Sequence, residues 1–590
     1  MTEVKSKVSI GSVFKTIIWP RRKMVFLGLI LIVISRSASL VMPIEIKTLL
    51  DEVVPKSDLD GLYEVLFKVV AALFIQAITG FALTRLLSVE AQFLISELRA
   101  QVQRKILSLP ISYFDNHKSG ELVSRIMSDV EGVRNIIGTG LVQLVGGTLT
   151  AIVSLVMLIR INSWMTLFVL APVAVFAVIA LKAFGFIRPI FRKRGEINAE
   201  VTGRLTETLN GVRVIKGFNA EDQENLMFQK GVDKLFQNVK KSLTATALMT
   251  SSSGFLLGLA SAGIMGIGGY FMMGDVVNPP TMTPGDFISF TVLLGFMIAP
   301  IVQMSNIGSQ MTEAFAGLDR TQEIMNLDPE NDDAVRTIFL DHIKGDIEFD
   351  NVSFEYDQGK EVLHNISFKA PKGSVTALVG TSGSGKSTIA GLASSFLNPS
   401  SGTITIDGKD LSKVNLSSYR QYLGVVLQDD FLFEGTIKEN ILFSNPKATD
   451  YEVEKAVKAA YVNEFTERFD DGLETIIGER GVKLSGGQRQ RITIARAILA
   501  NPEVIFLDEA TSNLDTESES YIQKSLATLM EGRTTFVIAH RLSTIRKASK
   551  ILVIEEGKIE EKGTHDELID LKGRYHDSVS YTHLRAHETD

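Results

Sequence analysis

Six stretches in the first half of this chain are apolar over twenty residues or more, roughly 24–50, 62–87, 136–160, 164–186, 248–273 and 286–308. A bilayer core takes about 20 residues of helix. Hydrocarbon offers backbone groups no partners, so such segments must pair their own N–H and C=O groups as helices. The first half is therefore predicted to be a six-helix membrane domain. The polar stretches after the second and fourth runs keep helical periodicity and hold few breakers. They are expected to continue the same helices into water and to carry two cytoplasmic loops far from the bilayer.

Lys and Arg set the orientation. Arg21, Arg22 and Lys23 precede the first run, and Arg99, Arg104, Lys105, Arg188, Arg192, Lys193 and Arg194 fall in the long extensions. The opposite side, DEVVPKSDLDG, is acidic. Both termini are expected to be cytoplasmic, in the inner membrane. Ile10, Val13, Phe14, Ile17 and Ile18 recur at helical spacing before Pro20. They predict an amphipathic helix in the inner interface, with a soluble docking helix as the alternative. Arg36 lies inside the first run and Arg85 near the end of the second. Ionisable groups there face a cavity or a partner; Arg36 is open between an anionic cargo group and a structural pairing. Glu45 and Lys47, after Pro43, sit near the outer interface, where charge costs less. The glycines of the fifth run suit close helix packing.

Composition narrows the partners. Net charge is −7, about +3 over residues 1–340 and −10 over 341–590, so no basic surface suits nucleic acid. The absence of cysteine excludes disulfides, thiolate metal sites and cysteine nucleophiles.

Near 325–345 the chain turns polar and acidic, then alternates strand and helix patterns. VTALVGTSGSGKSTIAGLA is a strand, a glycine loop and a helix. Gly380, Gly385, Lys386 and Ser387 fit the phosphate-binding P-loop, with Thr381, Ser382, Gly383, Ser384 and Thr388 in the same cradle. Glycines let backbone N–H groups approach phosphates, Lys386 reaches the terminal ones, and the Ser387 hydroxyl suits Mg²⁺. VIFLDEATSNLD ends a buried strand in two acids: Asp508 is expected to hold Mg²⁺ through water and Glu509 to polarise the attacking water. His540 ends the strand of TTFVIAHRLST, facing the ligand crevice of an open α/β sheet. Gln428, in VVLQDDF, suits the Mg²⁺ shell, and Tyr356, in VSFEY, suits stacking on adenine; a polar loop and a core aromatic are their plainer readings. LSGGQRQR, 484–491, opens a further helix, whose N-terminus suits an anion.

Together these features resemble the ATP-binding cassette (ABC) transporters over about residues 10–575. LSGGQ, some twenty residues before the acid-ended strand, matches the family signature. By that resemblance Lys386 and Ser387 look like Walker A, Asp508 and Glu509 like Walker B and the catalytic glutamate, Gln428 like the Q-loop, His540 like the switch histidine, Asp515 like the D-loop aspartate and Tyr356 like the A-loop stacker. The resemblance also implies a head-to-tail dimer, in which Ser485, Gly486, Gly487 and Gln488 hold the γ-phosphate of ATP bound to a second chain. ISYFDNHKSGE (111–121) and GFNAEDQEN (217–225) stand where coupling helices belong, and TIIGERG (475–481) resembles the exporter X-loop.

The expected division is an amphipathic helix at 1–22, the membrane domain at 23–325, a linker at 326–343 and the nucleotide-binding domain at 344–578. A tail at 579–590 resembles translated adapter sequence, with a short disordered tail as the alternative. The implied machine is half of a type IV exporter, an ATPase moving a lipid-like amphiphile by alternating access. Glu509 and LSGGQ are both intact, which favours a homodimer over a heterodimer. Multidrug efflux is the alternative cargo, and an ATP-gated channel or sensor the remote one. Chromosome-maintenance ATPases share the cassette but lack spans, and peptide export is disfavoured because no protease domain precedes the spans.

Overall fold

The computed structural model describes residues 19–117, 119–134, 140–273, 282–332, 334–356, 359–427, 430–478, 484–508, 516–539 and 542–577. The amphipathic segment before Trp19 and the tail lie outside them. The chain divides into two compact units, Met1–Ile106 with Ser119–Asn326, and Leu107–Lys118 with Leu327–Asp590.

The first unit is helical. Its main helices are Arg22–Ser39 and Val41–Thr48, Leu59–Leu107, Leu141–Ile161, Ser163–Asn210, Glu221–Met272 and Pro284–Met325. The helices of 49, 48 and 52 residues each run continuously through both apolar and polar sequence. At 1.5 Å per residue each is about 75 Å long, well beyond a bilayer core of about 30 Å. Among the described residues, Trp19–Lys56, Leu59–Leu107 and Gln143–Ile161 are long and apolar enough to cross a membrane. Ser163–Pro172, Gly258–Met272 and Pro284–Pro300 are shorter apolar segments. Three of the six expected spans are thus clear among the described residues.

Ser163–Asn210 packs along Glu221–Met272, and Leu141–Ile161 along Pro284–Met325. Leu158, Met165, Ile264, Phe290, Leu293 and Met297 are buried between them. Ile32 meets Leu83 and Leu87 in a second cluster. Polar groups fasten the helix ends. Thr283 and Asp286 form a capping box on Pro284–Met325, and the Asp51 carboxylate accepts from the Gly285 N–H at 2.9 Å. At the other end of that helix Arg320 donates through Nε to Asp129 at 2.7 Å.

The second unit is α/β. Its larger sheet has the order Lys558–Gly563, Lys550–Glu555, Val375–Val379, Thr534–Ile538, Val504–Asp508, Leu423–Val426. All neighbours are parallel except the first pair. VTALV, VIFLD and TTFVI are near-continuous apolar runs, as strands covered on both faces require. The smaller antiparallel sheet orders Glu361–Ala370, Ile347–Glu355, Ser401–Ile406, Lys409–Asp410. Aromatic rings join the sheets: Phe349 stacks on Phe368 at 4.6 Å, Phe506 stacks on Phe536 at 5.4 Å, and Phe368 meets Phe536 edge-on.

Residues read from sequence as a linker are bound onto this unit. The Ile338 N–H donates to Lys413 O, and the Asn415 N–H donates back to Ile338 O. Arg336, itself buried, donates to the carbonyls of Leu411 and Val414. Glu330 pairs with Arg420 at 2.6 Å, and its N–H donates to Ser108 O in the segment Leu107–Lys118 of the same unit. Leu340 and Ile343 belong to the buried core. Leu340→Ala is expected to destabilise the unit by about 3 kcal/mol, the usual cost of a buried leucine truncation. Urea denaturation would show it as a lower midpoint with unchanged slope.

Candidate nucleotide site

The central strand Val375–Val379 feeds the glycine loop, and the helix Lys386–Ala393 follows. Gly380, Gly383 and Gly385 take φ of +155°, +82° and +107°. At Gly380 a Cβ would lie 2.1 Å from the Ile554 carbonyl oxygen, and at Gly385 one would lie 2.5 Å from the Leu363 side chain. No side chain caps the helix, so its first N–H groups open onto the loop with the positive end of the helix dipole. Buried Lys386 donates through Nζ to Gly380 O at 3.0 Å and Thr381 O at 2.7 Å. The Ser384 hydroxyl is buried without a hydrogen-bond partner among the described residues. Ser387 is exposed beside it, as are Thr381 and Ser382. An uncapped helix start, a buried lysine spanning the loop and a buried hydroxyl without a protein partner line one cradle with donors. Those donors fit the phosphates of a nucleotide.

Tyr356, 58% exposed, stands beside the cradle. Its hydroxyl lies 3.2 Å from Thr388 Oγ1, and its ring meets Phe354 edge-on. The aromatic is thus not a core residue. The structure brings it from 32 positions upstream to the helix that follows the loop. Asp508 ends the strand Val504–Asp508 in register with Ile538, two strands from Val375–Val379. At about 4.8 Å per strand it lies about 10 Å across the sheet, at the same carboxyl edge as the loop. Gln428, Glu509, Asp515, His540 and the X-loop residues 479–481 lie outside the described residues.

Ser485 is the N-cap of the helix Gly486–Leu499. Its hydroxyl accepts from the Gln488 N–H at 3.3 Å, and the Gln488 side chain accepts from the Ser485 N–H at 2.9 Å. The pair is a capping box, readable in sequence as S-x-x-Q. It occupies the Gln488 carbonyl oxygen within the chain and leaves the Ser485 O–H proton free to donate. Two residues not singled out from sequence hold this turn. Arg489 donates to Leu484 O at 2.8 Å. Buried Arg491 donates to Tyr461 O at 3.0 Å and lies over the rings of Phe465 and Tyr521. An arginine in an otherwise apolar helix face was the available signal.

Comparison with known proteins follows the same division. Residues 25–301 match the ABC transporter transmembrane region, and residues 363–512 match the ABC transporter domain. An ATP-dependent lipid A-core flippase of Desulfotalea psychrophila is 37% identical, over 90% of this chain and 92% of its own. One of Aliivibrio fischeri is 36% identical, over 97% and 98%. YgaD of Bacillus subtilis, whose name offers multidrug export ATP-binding/permease as a conjecture, is 36% identical over 94% and 96%. Among solved structures, a bacterial Atm1-family ABC exporter with ATP bound superposes with a TM-score of 0.82 at 26% identity, over 95% of this chain and 98% of that one. With membrane helices and a phosphate cradle on one polypeptide, and relatives aligned from end to end, the chain belongs to the ABC transporters, as an ATP-hydrolysing exporter.

Proposed function

We propose that two copies of this chain form an exporter that moves a lipid-like amphiphile across the cytoplasmic membrane by alternating access. The observation that carries this is the near-complete alignment with chains named lipid A-core flippase. The reading takes six spans over 23–325, both termini in the cytoplasm, and a nucleotide domain over 344–578.

Bound ATP with Mg²⁺ supplies the phosphoryl group and the charge that draws the two nucleotide domains together. Lys386, the loop residues Gly380–Thr388 and Tyr356 bind and orient it from one side. Ser387, Gln428 and Asp508 would hold the metal. Glu509 takes the proton of the attacking water, and His540 keeps that water in line. Ser485, Gly486, Gly487 and Gln488 of one copy, with Asp515, close over the nucleotide of the other. Loss of the terminal phosphate releases that closure. The loops at 111–121 and 217–225 carry it to the membrane helices.

The test is ATPase activity in lipid nanodiscs, titrated with lipid A and separately with a lipophilic cationic dye. Saturable stimulation by lipid A alone is expected. Stimulation by the dye with lipid A inert would make the chain a multidrug exporter, the second reading, which the likeness to YgaD favours.

A further inference from the structure

Arg36 is a cation well inside the first apolar span, Trp19–Lys56, and no described residue neutralises it. Its side chain is half-buried, and among the described residues it makes no ion pair and no side-chain hydrogen bond. The guanidinium lies against Gly146 of the helix Leu141–Ile161. A Cβ there would come within 3.0 Å of Nε and 3.3 Å of Nη2. The missing side chain at 146 is what gives the group its place.

The counter-charge cannot come from the protein's own membrane segments. Residues 22–44, 65–89, 132–195, 234–274 and 287–312 contain no Asp or Glu. Two acids at the ends of these helices are engaged by lysines. Asp286 is 2.7 Å from Lys47, and Glu45 faces Lys68. Glu45 is nine residues beyond Arg36, about 13 Å along a helix. A second copy of the chain would bring the same acid-free stretches. An unpaired charge at this depth costs several kcal/mol unless an anion meets it. Arg85 differs: it is exposed and falls between Leu83 and Leu87, which face Ile32, so it turns away from the first helix.

We propose that Arg36 is a binding residue for the cargo, and that the cargo class is an amphiphile with a phosphate or similar oxyanion headgroup. The guanidinium presents a planar fork of donors suited to such an oxyanion. The inference rests on the exporter reading and narrows it, choosing anionic over cationic amphiphiles.

The experiment is equilibrium binding of lipid A and of dephosphorylated lipid A to the full chain in phosphatidylcholine nanodiscs. In the unmodified chain, dephosphorylation should weaken binding about tenfold, the scale of one charge-assisted hydrogen bond in a desolvated site. Arg36→Gln should erase that preference, leaving affinity for the dephosphorylated form unchanged, and Arg36→Lys should restore part of it. A merely structural Arg36 would weaken both ligands alike in Arg36→Gln, which overturns the proposal. So does an unmodified chain indifferent to the phosphates, a result that needs no variant to fold. If phosphatidylglycerol in the nanodisc removes the Arg36-dependent preference, the anion is bulk lipid rather than cargo, and the proposal also fails. ATPase stimulation in the same samples separates the two readings. Stimulation without phosphate preference keeps the exporter and removes the Arg36 site. Preference without stimulation keeps the site and removes lipid A as cargo.

Discussion

Glu509→Gln is expected to abolish turnover while leaving ATP binding intact. The amide has the shape of the carboxylate and can still touch a water, but it cannot take its proton. General-base contributions of 10²–10⁴ set the scale, so ATPase activity should fall about a thousandfold, or about 4 kcal/mol on the barrier. Binding should survive because the loop and helix of the cradle, with Lys386 and its two backbone contacts, are built independently of residue 509. The measurement is steady-state phosphate release beside equilibrium binding of a fluorescent ATP analogue. Near-normal release would remove Glu509 from the role. His540→Ala should act in the same direction, through loss of alignment rather than of the base.

The second large effect is structural. Gly380→Ala should cost the nucleotide unit about 4 kcal/mol and most of its ATP affinity. Two terms add. A φ of +155° is a region that side-chain-bearing residues rarely occupy, at about 1–3 kcal/mol. The new Cβ would also lie 2.1 Å from the Ile554 carbonyl and 2.8 Å from Ser384 Oγ. The carbonyl belongs to the strand Lys550–Glu555, which pairs with Val375–Val379, so it cannot yield without opening the sheet. Overpacking of that kind adds about 1–3 kcal/mol. A domain with about 5–15 kcal/mol to lose would stay folded or nearly so. Chemical denaturation and nucleotide binding should therefore fall together. A variant with unchanged denaturation midpoint and unchanged ATP affinity would show that the loop can relax around the methyl group.

Much of the site was legible because its parts are local. The P-loop is one strand, one turn and one helix in continuous sequence, and its glycines mark the positions of positive φ. The signature turn is likewise continuous, and its S-x-x-Q pattern spells the capping box. The long helices were legible from uninterrupted periodicity. The strap at 330–343 was not. Its polar composition reads as a linker, yet Leu340 and Ile343 join the unit's buried core and Ile338 bonds to Lys413 and Asn415, some seventy-five positions away. The placement of Tyr356 was open for the same reason, since a lone aromatic in a strand pattern carries no mark of which surface it will meet.

By itself, then, the sequence determined the chemistry: apolar runs that must be helices in a membrane, a glycine loop shaped for phosphates, and a strand ending in acids. Each follows from constraints acting within some twenty residues, where backbone pairing and steric freedom decide. Only the tertiary structure decided that the supposed linker is part of the nucleotide unit, that Tyr356 stands beside Thr388, and that Arg36 rests on Gly146 rather than on a carboxylate. Those outcomes depend on which surfaces close over one another, and packing at that range leaves no periodic trace in the order of residues.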